Sequence, residues 1–167
     1  MQQALKILIL ICFQFSIAQN PYPQDYFNNP LDVQLVLSGT FAELRSNHFH
    51  SGLDIKTQQR EGLNVFTAAK GYVSRIKISH FGYGKALYIT HPNGYTSVYA
   101  HLKKFAPKIE NYIKKLQYEQ ETFEIDSSLR LMHYQWHPMK LLRFLEIQVV
   151  QEDHICILKL EIKKNAQ

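Results

Sequence analysis

The chain has 167 residues, enough for one domain with a hydrophobic core but too few for two domains of ordinary size. Hydrophobic residues make up 46% of the chain and aromatic residues 13%, a composition that favours a folded, strand-rich protein and excludes a disordered one. The formal net charge of +5 suits a protein at an anionic envelope surface, and no nucleic-acid partner is expected.

Residues 1–18 have the pattern of an export signal. Lys6 precedes the apolar run "ILILICFQFSI", and Ser16 and Ala18 occupy the small-residue positions before a cleavage site. This run is too short to anchor the chain across a bilayer, so no stable membrane span is expected after the signal is removed. We predict cleavage after Ala18 and export to the periplasm or cell envelope. The alternatives are a retained anchor, a buried strand, or lipid attachment at Cys12.

Cysteine usage limits the kinds of metal site that the chain can build. Cys12 and Cys156 are the only two cysteines, and removal of the signal would leave one of them. An internal disulfide and a cysteine-based zinc site are both excluded in the processed chain. Any metal must therefore be held by histidines and carboxylates.

Strand patterns follow an extended lead-in over residues 19–31, which contains three of the six prolines. Alternating apolar and polar residues predict the strands. The clearest case is a hairpin over residues 85–102, in which two alternating segments flank the turn "PNG". The other predicted strands lie in residues 32–44, in residues 63–79 as two strands joined near Lys70-Gly71, and in residues 122–126.

One helix is predicted over residues 106–121. Ile109, Tyr112, Ile113 and Leu116 recur there at helical spacing, and a proline lies near the start. The predicted fold is therefore mainly β: a small antiparallel β-sheet core domain over residues 32–126 with one short helix.

The character of the sequence changes after Asp126. All seven glycines lie at or before Gly94, and the last 73 residues contain none. Roughly five would be expected at average usage, and a β domain needs glycine for its tight turns. Residues 127–167 have apolar content but neither turn residues nor a regular period. This pattern predicts a domain that is truncated or disrupted at its C-terminal end.

The segment "NHFHSGLDI" places His50 four residues before Asp54. Among eight histidines and five aspartates, one such spacing arises by chance in roughly one chain in four, so the spacing alone favours a polar turn. The chemistry points the other way, because a neutral imidazole and a carboxylate suit Zn²⁺, and Gly52 lets the backbone turn so that both side chains point to one side. A catalytic site of this kind needs three protein ligands and an open position for water, so a partner histidine is required.

Several ordered motifs surround this pair over about residues 33–105. They are "LSGTFAELRSNHFHSGLDI", "GLNVFTAAKGYVSRI" and "GYGKALYITHPNGYTSVYAHL", with their turn glycines in register. Together they resemble the M23 family of zinc metallopeptidases, of the lysostaphin/LytM type. The resemblance implies a small β-sheet-core fold, a Zn²⁺ cofactor, and cleavage of peptide bonds in bacterial cell-wall peptidoglycan.

The resemblance also implies roles for individual residues. His50 and Asp54 match the family's first two zinc ligands, and His101 in "YAHL" matches a catalytic histidine that helps to position water and stabilise the oxyanion. Arg45 and His48 lie at the rim of the implied site, where substrate binding and surface exposure remain equal alternatives. His91, in "THPNG", falls at a hairpin position that is structural in the family.

The family closes its site with an H-x-H strand, usually "HLHFE" after a glycine-rich turn. Its two histidines face the same side, one as the third zinc ligand and one as a general base. The chain contains no H-x-H, so this third ligand is absent from it. His133, His137 and His154 are the only later histidines, and their surroundings do not resemble the family.

A shifted reading frame accounts for the missing strand. The last base of each codon can be combined with the first two of the next, with degenerate bases chosen freely. The segment "MHYQWHPMKLLRFLEIQVVQEDHICILKLE" then reads ALPVAPNEIIAFSGNTGGSGRPHLHFEIR. This reading supplies the glycine-rich turn and the "HLHFE" strand in the order that the family needs. We therefore interpret residues 127–167 as a frameshifted tail, with the shift between Asp126 and Leu131.

The expected function is that of a zinc metalloendopeptidase acting on peptide cross-links of peptidoglycan, impaired in this chain because the H-x-H motif is missing. The alternative is a non-catalytic envelope protein that regulates cell-wall hydrolases, or a pseudogene product. The zinc content of the purified protein distinguishes the zinc peptidase from the non-catalytic envelope protein. The sequence leaves open which peptide bond is cut and which oligomeric state the protein adopts.

Overall fold

The computed structural model describes residues 23–128 in full and, from the tail, the backbone of residues 147–149 and 156–162. The predicted export signal and the tail histidines His133, His137 and His154 lie outside these described residues. Within the described part of the chain, no helix is long and apolar enough to cross a membrane.

Ten strands and one helix are formed by the described residues. In chain order they are β1 (Leu37–Gly39), β2 (Asp54–Ile55), β3 (Leu63–Val65), β4 (Tyr72–Ile78), β5 (Lys85–Thr90), β6 (Tyr95–Tyr99), β7 (Leu102–Lys104), α1 (Pro107–Glu119), β8 (Ile125–Ser128), β9 (Ile147–Val149) and β10 (Cys156–Ile162). The fold is mainly β with one short helix, as the sequence predicts.

The strands form two antiparallel sheets. The larger has seven strands in the order β1-β2-β10-β6-β5-β4-β8, and the smaller has three in the order β3-β9-β7. Every pairing between these strands is antiparallel. The large sheet therefore places β2, which begins with Asp54, beside the last described strand of the chain.

The predicted hairpin is confirmed as β5 and β6. Its turn is closed by the His91 N–H, which donates to Tyr95 O at 2.8 Å, and by the Gly94 N–H, which donates to His91 O at 3.0 Å. Gly94 has a φ of +84°, a left-handed conformation that glycine adopts without a steric penalty. The turn residues "PNG" thus set the register in which Thr90 pairs with Thr96.

The predicted helix is confirmed as α1, and it packs on the core through one face. Pro107 stands at its start, where the missing N–H is no loss, and the Glu110 carboxylate accepts the Phe105 N–H at 3.0 Å. Ile109 and Ile113 are buried. They join a single main core cluster, whose buried members are Leu31, Ile55, Val65, Val73, Ile76, Ile78, Leu87, Ile89, Tyr99, Leu102, Phe105, Ile109, Ile113 and Ile125.

Some strand boundaries differ from the prediction. The long strand expected in residues 32–44 is reduced to the three residues of β1, and the strand expected in residues 122–126 begins only at Ile125. The two-residue strand β2 and the three-residue strand β7 were not predicted. Alternation over two or three residues carries no signal, because such short strands are defined by their pairing partners.

His91 and the strand beside it form a buried polar network. The His91 Nδ1–H donates to Lys70 O at 2.8 Å, and His91 Nε2 lies 2.8 Å from Ser97 Oγ. Ser97 Oγ is in turn 3.1 Å from the Tyr99 hydroxyl, which accepts the Ala68 N–H at 2.8 Å. Burial lowers the pKa of the His91 imidazole, and the hydrogen bond to Lys70 O opposes this shift. The neutral ring is thus part of the folded structure.

We expect the free energy of unfolding to fall as the pH is lowered below about 6.5. The unfolded chain takes up a proton on His91 at the ordinary pKa, whereas the folded chain resists it. Stability from this group is thus complete above the unfolded pKa and is lost below it. Urea unfolding at several pH values checks the slope, which should be smaller in His91→Gln and unchanged in His48→Gln, where the ring is exposed. An unchanged slope in His91→Gln would contradict the assignment.

Candidate metal centre

A short loop between β1 and β2 positions His50. The Ala42 N–H donates to His50 O at 2.8 Å, the His50 N–H donates to Glu43 O at 2.7 Å, and the Arg45 N–H donates to His48 O at 2.9 Å. These backbone bonds fold residues 40–50 back on themselves like a small hairpin. These bonds fix the shape of the loop. His50 lies at the C-terminal end of the loop, four residues before β2.

The His50 ring has one nitrogen bonded to backbone and the other facing Asp54. Nδ1 lies 3.0 Å from Thr40 O, and a carbonyl only accepts, so Nδ1 carries a proton. Nε2 lies 3.0 Å from Asp54 Oδ1. In a neutral His50 ring, Nε2 is therefore an acceptor, and it faces a second acceptor, Asp54 Oδ1. A proton or a metal ion must lie between these two atoms. A backbone carbonyl that fixes the tautomer is the usual outer-shell partner of a metal-binding histidine.

Asp54 presents one free oxygen to His50. Its side chain is buried, and Oδ1 has no hydrogen-bond partner, although Oδ2 accepts from Arg45 Nη2 at 2.8 Å. An unpartnered carboxylate oxygen in a buried position is costly unless a cation satisfies it. One imidazole nitrogen and one carboxylate oxygen at this separation fit two ligands of a Zn²⁺ ion. The two residues thus fit the cofactor that the sequence motifs imply.

His101 lies at a strained turn near this pair. Its φ is +54°, a left-handed conformation that non-glycine residues adopt rarely. The His101 N–H donates to Tyr83 O at 3.0 Å. Burial lowers the pKa of the half-buried His101 imidazole, and the negative charge of Asp54 opposes that shift. The structure therefore brings His101 within electrostatic range of the predicted metal ligands.

Tyr83 is a site residue that the sequence motifs did not single out. Its carbonyl holds His101, and its hydroxyl is 2.8 Å from Ser51 Oγ, next to His50 in the chain. Gly82 and Gly84 on either side both have positive φ, so the loop turns sharply around Tyr83. The repeated glycines of "GYGK" were the signal available in the sequence. Tyr83 links the His50 segment to the His101 turn.

The other candidate histidines lie apart from the pair. His48 is exposed, and its ring nitrogen is hydrogen-bonded to Asn47 Oδ1. His91 belongs to the buried network of the hairpin described above. Among the described residues, no group of three or more His, Cys, Asp or Glu side chains is placed to hold a metal ion. No third ligand for the predicted pair His50 and Asp54 is therefore found in the part of the chain that the structure describes.

One family profile matches the part of the chain that contains these residues. Residues 48–118 match the profile of Peptidase family M23. The matched range includes both His50 and Asp54 and also His101, so the resemblance predicted from the motifs is confirmed. Among proteins with curated descriptions, none matches the chain.

Two solved structures that are similar to this chain are distantly related to it in sequence. Csd3 of Helicobacter pylori is 18% identical with a TM-score of 0.50, and the match covers 82% of this chain and 32% of that one. A zinc-containing peptidase of Vibrio cholerae is 15% identical with a TM-score of 0.47, covering 82% of this chain and 37% of that one. The likeness to Csd3 establishes the fold alone. The chain spans about a third of the length of these proteins.

Proposed function

We propose, because residues 48–118 match the profile of Peptidase family M23, that the chain is a form of a zinc metalloendopeptidase that acts on the peptide cross-links of bacterial peptidoglycan. The observation that carries this proposal is the contact between His50 Nε2 and Asp54 Oδ1 at 3.0 Å, in which the oxygen is buried and has no hydrogen-bond donor. The export signal predicted at residues 1–18 agrees with a substrate in the cell envelope.

The chemistry divides between the cofactor and the side chains. When bound, Zn²⁺ lowers the pKa of a water molecule and polarises the scissile carbonyl. His50 and Asp54 would hold the ion, and Thr40 O fixes the His50 ring in the tautomer that leaves Nε2 free. His101, whose lowered pKa keeps it neutral near pH 7, retains one ring N–H that can donate to the oxyanion of the tetrahedral intermediate. Tyr83 holds His101 in place through its carbonyl.

The missing third ligand sets the expected activity of this chain. Two ligands from one short segment define neither the full geometry nor the charge of a zinc site. We therefore propose that the chain as it stands hydrolyses peptidoglycan poorly. A non-catalytic envelope protein is the second candidate, and it is favoured by the lack of a three-ligand group among the described residues.

We expect the purified chain to bind zinc with a dissociation constant weaker than micromolar, and His50→Ala or Asp54→Ala to abolish that binding. Each substitution removes one of only two ligands. Isothermal titration calorimetry with zinc chloride measures the affinity. His48→Ala is the matched control, because it removes an exposed histidine from the same loop.

Two outcomes would count against the proposal. Zinc binding that persists in both His50→Ala and Asp54→Ala would place the metal elsewhere. A complete lack of binding in the unaltered chain would favour the non-catalytic envelope role.

A further inference from the structure

Arg45 makes a partly buried ion pair with the predicted ligand Asp54. Arg45 Nη2 donates to Asp54 Oδ2 at 2.8 Å and lies 3.3 Å from Glu43 Oε2. The Arg45 side chain is 37% exposed, whereas that of Asp54 is only 6% exposed. The guanidinium therefore reaches inward from the loop to the carboxylate, and it is more than a surface group at the rim of the site.

The same loop holds both partners of the site. Glu43 Oε2 accepts the Thr40 N–H at 3.1 Å, and the Thr40 carbonyl fixes the His50 ring. Glu43 thus braces Arg45 and the turn at Thr40 together. Asp54 is held through Oδ2 and His50 through Nδ1. Each predicted ligand thus has one atom held by a hydrogen bond and another atom available to a metal ion.

Gly39 provides the space in which Arg45 meets Asp54. A Cβ at Gly39 would lie 2.5 Å from Arg45 Nη2 and 2.5 Å from Asp54 Oδ2. Cβ atoms do not approach other heavy atoms so closely, so any larger residue would push the two side chains apart. Since Gly39 does not have a positive φ, close approach is the reason for a glycine at this position.

We propose that Arg45, seated against Gly39, is a positioning residue that holds Asp54 through Oδ2 and leaves Oδ1 as its single metal-binding oxygen. The inference rests on the proposed zinc site at His50 and Asp54. A carboxylate restricted to one oxygen suits Zn²⁺, which takes four ligands in tetrahedral geometry. A carboxylate that is free to rotate offers both oxygens, which suits larger and harder cations such as Mn²⁺.

Positioning and simple charge repulsion predict opposite effects. If Arg45 acted only through its positive charge, its removal would make the site more negative and would strengthen the binding of any divalent cation. If Arg45 positions the carboxylate, its removal weakens zinc binding, as loss of an outer-shell partner does, by about tenfold or more. The sign of the change in zinc affinity therefore distinguishes the two roles.

The test uses Arg45→Met in the full chain, with zinc chloride and manganese chloride titrated separately by calorimetry. We expect zinc affinity to fall about tenfold and manganese affinity to fall less. The ratio of zinc affinity to manganese affinity should therefore drop. A general loosening of the fold would weaken both metals equally and would leave the ratio unchanged. Arg45→Lys should retain part of the zinc preference, because it keeps one charged donor towards Oδ2.

Two further variants make the test specific. Gly39→Ala should lower the ratio like Arg45→Met, because the added Cβ separates the ion pair while Arg45 remains. Arg75→Met is the matched control, because Arg75 is 36% exposed and donates to Asp126 through Nε at 2.7 Å in an ion pair elsewhere on the sheet. It should leave the ratio unchanged.

The outcomes separate the two proposals. An unchanged or higher zinc affinity in Arg45→Met, or an unchanged ratio, overturns the positioning role while the zinc site stands. An unaltered chain that binds neither metal overturns both proposals.

Discussion

Restoring the shifted reading frame after Asp126 is expected to give a protein that binds one zinc ion tightly and lyses peptidoglycan. In the shifted reading, the second histidine of "HLH" is encoded across the codons of Cys156 and Ile157. In the present chain, the backbone of Cys156 pairs with Ile55, and that of Ile157 pairs with Asp54. A strand with the restored sequence in this register would run directly beside the first residue of β2.

Alternation along that strand supplies the missing groups. The two histidines of "HLH" project to the same face of a strand, so one can complete a two-histidine, one-aspartate set. The other can then act as the general base on the side opposite His101. Because loss of an outer-shell partner alone weakens metal binding 10- to 100-fold, gain of a direct ligand should strengthen it by at least about 100-fold.

The test restores the frame by inserting or deleting the necessary base, and then measures zinc stoichiometry and lysis of purified cell walls. His50→Ala and Asp54→Ala in the restored protein serve as controls, and each should remove both zinc and activity. A restored protein that folds but stays free of metal and inert would refute the frameshift interpretation together with the zinc peptidase function.

A second large effect is expected at Phe105, which links β7 to α1. Its side chain is 2% exposed within the main core cluster, and the Lys85 ammonium lies 5.8 Å from its ring centroid. Phe105→Ala should lower the free energy of unfolding by about 3–5 kcal/mol through lost burial and the cavity left behind. That is a large share of the roughly 5–15 kcal/mol that stabilises a typical domain.

Urea unfolding of Phe105→Ala measures this loss, with Phe81→Ala as the matched control. Phe81 is 88% exposed, so its removal should change the free energy of unfolding by no more than about 0.5 kcal/mol. Because β7 follows His101 directly, the Phe105 variant should also loosen the turn that carries this histidine. A loss below about 1 kcal/mol would mean that the core does not depend on the ring.

Elements with a local signature could be predicted from the sequence. The hairpin around "PNG" and the helix after Pro107 both have their cause within a dozen neighbouring residues, and both are confirmed. The pair His50 and Asp54 is local as well, since Asp54 follows His50 by only four positions. The structure adds that they meet as an unsatisfied contact between a nitrogen and an oxygen.

The parts that escaped prediction depend on residues far apart in the sequence. Ser51 and Tyr83 are 32 residues apart, and no periodic pattern connects them. Arg45 was placed at the rim because sequence alone does not show that its guanidinium reaches Asp54. The need for glycine at position 39 has no local signature either, because it comes from the close approach of the Arg45 and Asp54 side chains.

The place of β10 in the large sheet has a consequence for how the protein is made. β10 lies between β2 and β6, so the strands β1 and β2 are joined to β6 and the rest of the large sheet only through a strand that is synthesised after all of them. The pairing of β10 with β6 joins segments about 60 residues apart, and such long-range contacts form late in folding. Asp54 would thus acquire its final surroundings only after β10 has emerged from the ribosome. The proposed zinc site would therefore stay incomplete until β10 has been synthesised and has paired with β2.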